Sequence, residues 1–513
     1  MESSKTAVKT VFFMISITLL GKVTGLIRDM FFLANFGTES IVSESFIAAN
    51  SLPKNFLDIA FASVITSSFI PIFNDIRENK GEKEALDFSG NFITIITIFS
   101  AILVILCTVF SGQITSFFYG GFESESRILI EHFLQIFFPL IIFSGITFTL
   151  AGILQSYGEF NIPASLSLFS NAFILIYYIF FIDTFSVDGL ALAYLISWII
   201  QFLVQIPYMV KNKLKLTFKF NLKDENIRKI GYLALPLMIS TWLIPINYQV
   251  NISIAGNSPI RIVPALNTAY TLYMIVAGVI ILSISNLVFP KMSKQTANND
   301  EENFGKDLNT TLRASLFILI PIMIVMITLS EPMIKVLYER GKFNATSTEL
   351  SSIAFQFYSF GVLGYCLQNV IIRGFYAKKN WKIPLYSSIL GIVINFVISV
   401  ALQNVFTVAA YPIASSISIT TVGIYLLYEI NKINNKVINI DFIVTSLKLL
   451  VSGFIMALVI NFIYNLFNLN SKLYIVIVAV VSTLLGSLIY LICCKIFKIK
   501  EVNFIGDIIK KRK

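Results

Sequence analysis

The chain has 513 residues, of which 56% are hydrophobic and 13% are charged, and its formal net charge is +10. Soluble domains carry roughly 25% charged residues, so this composition excludes a water-soluble globular protein. Its four cysteines, Cys107, Cys366, Cys493 and Cys494, all fall inside apolar runs, and its single histidine is His132. We therefore predict neither a disulfide framework nor a metal site, and we expect His132 to be structural.

Apolar runs of about 20 residues or more, each long enough to cross a hydrocarbon core of about 30 Å, recur along the whole chain. The fourteen runs are 8–36, 43–73, 89–118, 128–155, 163–183, 187–210, 229–255, 262–289, 309–331, 350–376, 384–404, 407–429, 442–467 and 473–497. No small-residue cleavage site closes the first run, so we do not expect it to be a signal peptide. The sequence predicts an all-α polytopic membrane protein with 14 transmembrane helices.

Two landmarks recur at nearly the same distance. Phe69-Ile70-Pro71 and Val288-Phe289-Pro290 close apolar runs, with their prolines 219 positions apart, and Ile-Pro pairs open runs at Pro163 and Pro384, 221 positions apart. Spans one to six and seven to twelve are thus predicted to be two parallel six-helix repeats, with two extra C-terminal helices. The predicted domains are an N-lobe (1–210), a basic cytoplasmic linker (211–228), a C-lobe (229–431) and a segment with the last two spans and a basic tail (432–513).

Basic residues concentrate on one side of the membrane if the spans alternate. They crowd the connections at 77–83, 211–229 and 291–306 and the C-terminus at 495–513. The opposite side carries only Arg127, Arg261, Lys335, Arg340, Lys342 and Lys472. By the positive-inside rule both termini are cytoplasmic. We interpret the positive charge as contact with anionic lipid headgroups and expect no nucleic-acid partner.

Ionisable residues within spans cost about 2.5–3.5 kcal/mol each on insertion scales, and they usually face a cavity or a partner. Spans one and two hold six of them: Lys22, Arg28, Asp29, Glu44, Lys54 and Asp58. Lys22 and Asp29 share one helix face, and Lys54 and Asp58 are one turn apart. The pattern predicts a polar cleft in the N-terminal half, with these six as substrate-binding residues. Arg28 would grip phosphate oxygens in a bidentate fashion.

An alternative interpretation is that these three cations and three anions neutralise one another as buried ion pairs. Lys54 with Asp58, and Arg28 with Asp29, are the pairs that this interpretation predicts. Burying ion pairs for stability alone is inefficient because desolvation can exceed the Coulombic gain. Both interpretations remain open at this point.

Glycine and proline predict irregular helices. Gly21 and Gly25 in span one leave room for close backbone approach or for a break, and Pro53 is expected to bend span two. Pro236 and Pro245 in span seven free backbone carbonyls, which only protein or water can satisfy. We expect both lead helices, spans one and seven, to be broken in corresponding positions around a central site; the alternative in span seven is a simple proline kink.

An ordered set of short motifs resembles a known family. The motifs are Gly25-Leu26-Ile27-Arg28-Asp29, Phe36-Gly37, Glu44 followed by Phe46, Leu52-Pro53, Phe69-Ile70-Pro71, Phe289-Pro290 before Ser293-Lys294, Gly341-Lys342-Phe343, Gly374-Phe375-Tyr376-Ala377 and Lys382-Ile383-Pro384. Together they resemble the MurJ/MviN lipid II flippases of the MOP exporter superfamily, in order and over nearly the whole chain.

The resemblance implies a multi-pass protein of the bacterial cytoplasmic membrane. It would move an undecaprenyl-pyrophosphate-linked peptidoglycan precursor to the outer leaflet, with two lobes rocking in alternating access around a cationic cavity. Arg28, Asp29 and Glu44 carry over as cavity residues, and the last two spans would hold the lipid tail. The chain departs from the family at Leu57-Asp58 and at Thr271, where arginines are usual, and Lys22 is not arginine. The cavity is therefore expected to be less cationic.

Other functions remain in competition. They are a flippase for another polyprenyl-linked oligosaccharide of capsule or O-unit type, a cation-coupled drug exporter, a membrane glycosyltransferase and a membrane scaffold. We expect no enzyme and no catalytic residues, because the short basic loops lack acidic pairs and His clusters. No cofactor is expected, although a coupling cation or the membrane potential would supply energy, at about 2.3 kcal/mol per charge per 100 mV. The expected partners are a lipid-linked oligosaccharide and membrane lipids, and we expect a monomer.

Overall fold

The computed structural model describes residues 2–54, 59–467 and 471–502. All regular structure in these residues is helical. The chain divides into two compact units, Met1–Val263 and Pro264–Lys513. The helices of the first unit are α1 (Glu2–Phe36), α2 (Ile41–Pro53), α3 (Ile59–Val64), α4 (Ile70–Asn79), α5 (Glu82–Val109), α6 (Ser111–Tyr119), α7 (Ser124–Phe137), α8 (Leu140–Ser156), α9 (Asn161–Phe180), α10 (Ile182–Leu203), α11 (Ile206–Lys211) and α12 (Glu225–Ala255).

The helices from the unit boundary onward form the second unit. They are α13 (Val263–Tyr273), α14 (Val279–Ala297), α15 (Glu301–Thr328), α16 (Ser330–Tyr338), α17 (Ala345–Ser359), α18 (Val362–Ala377), α19 (Lys382–Phe406), α20 (Ala410–Ile433), α21 (Ile440–Asn465) and α22 (Lys472–Ile496). A short 3₁₀ turn, Thr407–Ala409, separates α19 from α20.

Many of these helices have the length and composition of membrane spans. Among the described residues, nine stretches are long and apolar enough to cross a membrane, or ten if α17 and α18, which are bent by 45°, form one span. One of the nine, Lys382–Ile433, contains two long helices, α19 and α20, which reverse at Thr407 and pack against each other. The all-helical polytopic fold is confirmed, whereas the count of fourteen spans stays a prediction.

The prediction that both lead helices are broken is wrong. Helix α1 runs for 35 residues and α12 for 31 residues without an interruption of the backbone helix. In α1 the glycines serve close packing against α9 instead: a Cβ on Gly25 would lie 3.2 Å from Asn171 Nδ2, and one on Gly21 would collide with the Ser167 hydroxyl. In α12 the backbone stays helical at both proline positions.

The irregular backbone lies in the second helix of each predicted repeat. Helix α2 ends at Pro53, Lys54 keeps helical backbone angles, and α3 begins at Ile59. The predicted bend at Pro53 stays a prediction, because residues 55–58 lie outside the described ranges. Each of these helices also contains a π-helical turn. The turn is Ile65–Phe69 in the first unit and Met274–Gly278 in the second. Such turns loosen the i→i−4 hydrogen-bond ladder and are frequent at functional sites.

Helix α12 packs within the first unit, although it is the first helix of the second predicted repeat. It contacts α2, α3 and α6. The packing boundary, at Val263, therefore lies one helix beyond the basic linker at 211–228. A repeat boundary and a packing boundary need not coincide, and the four predicted domains stay a prediction.

A buried ion pair ties the last two helices to the second unit. Arg313 of α15 donates from Nε and Nη2 to the two carboxylate oxygens of Glu501, at 2.6 and 3.1 Å. Its Nη1 donates to Asp441, in the first turn of α21, at 2.5 Å. The Arg313 and Glu501 side chains are only 8% and 5% exposed. This contact fixes the start of α21 and the segment after α22 against α15.

Candidate functional site

Arg28 and Asp29 form an ion pair on α1. The Arg28 Nε and Nη2 groups donate to Asp29 Oδ1 at 2.9 and 2.7 Å, and Nη1 donates to Asn171 Oδ1 at 2.9 Å. The two charged side chains are 17% and 22% exposed. These contacts use three of the five N–H donors of a guanidinium, whose fork geometry matches carboxylate and phosphate oxygens. The pair is held in a defined orientation and remains partly accessible.

Residues from three further helices surround this pair. Asn171 of α9 also donates from Nδ2 to the Gly21 carbonyl at 3.1 Å. One amide therefore contacts α1 at both Gly21 and Arg28. The Tyr194 ring of α10 lies beneath the Arg28 guanidinium, with 5.4 Å from Cζ to the ring centroid, a cation–π geometry. Phe46 of α2 packs edge-on against Tyr194 at 5.3 Å. Helices α1, α2, α9 and α10 therefore converge at Arg28.

Glu44 lies in a second cluster with charges from two loops. Its side chain is 7% exposed, and it accepts a hydrogen bond from Ser126 Oγ at 3.3 Å. Arg261, in the loop after α12, places Nε at 3.6 Å from Glu44 Oε2 and donates from Nη2 to Glu123 at 2.5 Å. Glu44 also lies in the first turn of α2, where the helix dipole favours a negative charge. Arg261 thus bridges a buried and an exposed carboxylate.

Gln249 of α12 is the centre of a buried polar network. Its Oε1 accepts from Ser51 Oγ at 2.9 Å, and its Nε2 donates to Tyr119 Oη at 3.1 Å. Tyr119 in turn donates to the Ala48 carbonyl at 2.7 Å. Buried polar groups are almost always paired in this way, because an unpaired group costs its full desolvation. The network joins α12 to α2 and α6.

The loops that follow α6 and α12 pack directly on each other. A Cβ on Gly256 would collide with the Phe122 ring, and one on Gly121 would collide with the Asn257 side chain. Glycine at both positions permits this close approach. The Gln249 network and the Arg261 ion pairs therefore belong to one continuous contact between α12 and the N-terminal helices.

The six candidate residues fall into different places. Arg28 and Asp29 lie together, forming the pair that the alternative interpretation predicted, and Glu44 belongs to the Arg261 cluster. Lys22 is exposed on α1, and Lys54 is exposed at the end of α2. Asp58 lies outside the described residues, as does the predicted Lys54–Asp58 pair.

Sequence reasoning missed three residues of these clusters as site residues. Asn171 and Gln249 are amides in apolar runs, and Arg261 was named only as a basic residue of a connection. Asn171 meets Arg28 across 143 positions, and Gln249 meets Ser51 across 198. Their isolation in the sequence was the only signal.

The second unit has aromatic side chains around the position where the resemblance led us to expect an arginine. Thr271 is flanked on α13 by Tyr270 and Tyr273. Their rings lie 5.6 and 6.0 Å from that of Tyr358 on α17, and Tyr273 lies 6.2 Å from Tyr365 on α18. This part of the second unit is tyrosine-rich, and Tyr273, Tyr358 and Tyr365 are buried.

The described residues contain no group of three or more His, Cys, Asp or Glu side chains placed to hold a metal ion. The four cysteines are free thiols. His132 lies 3.2 Å from Asp188 Oδ1, with both side chains exposed, so it joins α7 to α10 at the surface. Neither feature adds to the two clusters.

Comparisons with known proteins agree over most of the chain. A family model described as "Lipid II flippase MurJ" matches residues 33–493. The probable lipid II flippase MurJ of Buchnera aphidicola subsp. Baizongia pistaciae is 26% identical over 425 residues, 80% of this chain and 81% of the relative. A solved lipid II flippase MurJ in an inward closed conformation matches with a TM-score of 0.80 and 26% identity, over 95% of this chain and 98% of that one.

The fold is also shared more widely. An inward-facing multidrug resistance MATE family transporter of the MOP superfamily matches with a TM-score of 0.69, over 83% of this chain and 98% of that one. At 15% identity this likeness concerns the fold alone.

Proposed function

This chain belongs to the lipid II flippase MurJ family, and on that premise we propose that it moves lipid II across the bacterial cytoplasmic membrane by alternating access. Lipid II is the undecaprenyl-pyrophosphate-linked precursor of peptidoglycan. The observation that carries the proposal, beside the family match, is the partly exposed Arg28 guanidinium held by Asp29 and Asn171. A charge within a span usually faces a partner or a cavity, and Arg28 has a partner yet keeps two N–H groups for a polar ligand.

The proposed architecture has fourteen transmembrane helices, in two parallel six-helix repeats and one extra pair. The repeated proline landmarks, the match to a solved flippase over 95% of the chain and the packing of α21 against α22 support it. The charge distribution supports cytoplasmic termini. We further propose that the protein acts as a monomer and binds no nucleic acid.

Arg28 is the residue we propose to bind the substrate pyrophosphate. In the empty state Asp29 lowers the cost of keeping a guanidinium in the membrane, because the pair is close to neutral. Asn171 fixes the plane of the guanidinium, so two N–H groups remain for phosphate oxygens while three stay in the observed contacts. Lys22, exposed on the same helix, would add a second cation for the headgroup. Lys54 and Asp58 stay proposed members of the site.

We propose that alternating access breaks the contacts between α12 and the N-terminal helices. Gln249 and Arg261 join α12 to α2, α6 and the loop at Glu123. If α12 moves with the second repeat, these contacts separate in one of the two access states. Glu44, which loses Arg261 in that state, and Asp29 are the acids that a coupling proton or cation would use; the membrane potential acting on the same charges is the other proposed energy source.

A second candidate function is favoured by one observation. Thr271 stands where the family usually has an arginine, and its neighbours Tyr270 and Tyr273 pack with Tyr358, so this part of the second unit carries aromatic rings instead of charge. Fewer cations for the headgroup favour a flippase for another polyprenyl-linked oligosaccharide.

Complementation distinguishes the two substrates. We would deplete the host's own lipid II flippase conditionally and express this chain in its place, with membrane abundance measured in parallel. Growth and continued peptidoglycan synthesis are the expected result. Lysis at normal membrane abundance would contradict the lipid II proposal and favour the oligosaccharide alternative. An Arg28→Ala variant provides the matched negative control.

A further inference from the structure

The basic connection between α11 and α12 presents two chemically different faces. Residues 214–221 are not helical, and the contacts and exposure of their side chains divide them into two sets. On one side Thr217, Lys219 and Asn221 contact α5. On the other, Phe218, Phe220 and Leu222 are 67%, 57% and 54% exposed. Three large apolar side chains therefore project together from a segment outside the predicted spans.

Backbone contacts fix this segment to the first unit. Asn91 of α5 donates from Nδ2 to the Asn221 carbonyl at 3.0 Å, and its Oδ1 accepts from the Asn221 N–H at 2.8 Å. A Cβ on Gly90 would lie 2.7 Å from the Thr217 carbonyl carbon, so glycine is needed for the approach. The direction in which the apolar face points is thus set by α5 and not by a freely moving loop.

The contacts also set the depth of the segment. Asn91 directly precedes residues 92–109, which contain no charged side chain and continue to the end of α5. Eighteen helical residues rise about 27 Å, close to the hydrocarbon thickness. The segment beside Gly90 and Asn91 therefore lies level with the boundary between headgroups and acyl chains.

The charge around the apolar face is strongly positive. Exposed lysines flank it on both sides and along its opposite face: Lys211, Lys213, Lys215, Lys219 and Lys223. Lys219 is partly engaged by Asp87 of α5, at 3.2 Å. Aromatic and aliphatic side chains interleaved with lysines are the composition of surfaces that lie in an anionic membrane interface, where the apolar groups insert and the ammonium groups meet phosphate.

We propose that residues 217–223 form an interfacial anchor, in which Phe218, Phe220 and Leu222 insert into the cytoplasmic leaflet and the flanking lysines bind anionic headgroups. The anchor holds the cytoplasmic end of α5 at the membrane surface. It does not depend on which lipid-linked substrate the protein carries.

Site-directed spin labelling of the full-length protein tests the anchor. Cys107, Cys366, Cys493 and Cys494 are replaced by serine, and one label is placed through Phe220→Cys. Lys215→Cys is the matched control, because Lys215 is an exposed lysine of the same segment and is not one of the apolar side chains. Both proteins are reconstituted in vesicles of phosphatidylglycerol and phosphatidylcholine. Collision rates are measured with oxygen, which partitions into lipid, and with a nickel chelate, which stays in water.

The expected result is a label at position 220 that collides mainly with oxygen, and a label at 215 that collides mainly with the nickel chelate. In vesicles of phosphatidylcholine alone, the label at 220 should shift toward the nickel chelate. Equal access to the chelate at both positions would overturn insertion. A label at 220 shielded from both reagents would mean that protein covers this face, which also overturns the proposal.

A second variant tests whether the lysines bind anionic headgroups. Lys215→Gln combined with Lys223→Gln removes two flanking charges that lie away from the Asp87 contact. With the label at 220, this variant should lose the difference between anionic and zwitterionic vesicles. An unchanged difference would remove the lysines from the anchor.

Discussion

Gln249 and Ser51 share a buried hydrogen bond of 2.9 Å although they are 198 positions apart. Ser51 belongs to the second span of the first predicted repeat, and Gln249 to the first helix of the second repeat. Their contact means that α12, whose sequence groups it with the C-terminal half, is packed with the N-terminal half. Any transport cycle in which the two repeats separate must break this bond.

A reversible tether between these two residues should stop transport. In a background without the four native cysteines, Ser51→Cys and Gln249→Cys are joined by a short reducible thiol cross-linker. We expect loss of complementation or of lipid II translocation in vesicles, with recovery after reduction, because α12 can no longer leave α2. Ser45→Cys with Ser126→Cys is the matched control, since that contact, 3.2 Å from Ser45 Oγ to the Ser126 carbonyl, lies within one repeat. Full transport by the tethered 51–249 protein would contradict the proposed movement of α12.

Arg28 should be needed for transport and not for insertion. Arg28→Ala removes a charge-assisted contact of the kind worth about 1.5–3 kcal/mol, so translocation should fall roughly 10- to 100-fold at equal membrane abundance. Arg28→Lys should recover only part of it, because an ammonium lacks the planar fork that meets two oxygens. Translocation of lipid II in vesicles gives the rate. Wild-type rates in Arg28→Ala would exclude Arg28 from the site.

Removing Arg261 should destabilise the protein by leaving Glu44 buried without its cation. Breaking one side of a buried pair costs about 3–5 kcal/mol, and the 32% exposure of Arg261 reduces this toward the lower end. Glu44→Gln in addition to Arg261→Ala should restore part of the stability, as a double-mutant cycle would reveal. Thermal unfolding in detergent is the measurement. Purely additive effects of the two changes would mean that the ion pair contributes nothing.

Gly21→Ala should weaken the packing of α1 on α9. The added methyl group meets the Ser167 hydroxyl and must displace it, an overpacking that costs about 1–3 kcal/mol. Gly231→Ala, also within a helix but with nothing within 4 Å of the added atom, is the control and should be neutral or slightly stabilising. Melting temperatures of the two variants provide the comparison. Equal melting temperatures would argue against close packing at Gly21.

Arg313 should be a structural residue rather than a transport residue. Arg313→Ala leaves Glu501 buried and unpaired, and Glu501→Gln removes the charge but keeps a hydrogen-bonding group, so we expect the first change to cost more. The measurement is thermal stability together with translocation per folded molecule. Translocation per folded molecule should stay near wild type. A large loss of rate without loss of stability would instead give Arg313 a direct role.

The sequence predicted the polytopic all-helical class and the family correctly, because both depend on long-range composition and on ordered motifs. The bend that it predicts at Pro53 stays a prediction, because residues 55–58 lie outside the described ranges. The prediction of breaks in α1 and α12 was wrong. The glycines of α1 are compatible with a continuous helix because α9 packs against them, and a sequence does not specify that neighbour.

The hydropathy and the positions of charges by themselves determined that this chain crosses a membrane many times and that Arg28, Asp29 and Glu44 are costly there. Only the tertiary structure decided what each charge meets: Asp29 and Asn171 for Arg28, and Arg261 for Glu44. The reason is physical. Whether a charged residue lies within the membrane follows from the local hydropathy of the sequence. Which partner it meets depends on contacts between helices far apart in sequence, and only the packing of those helices decides them.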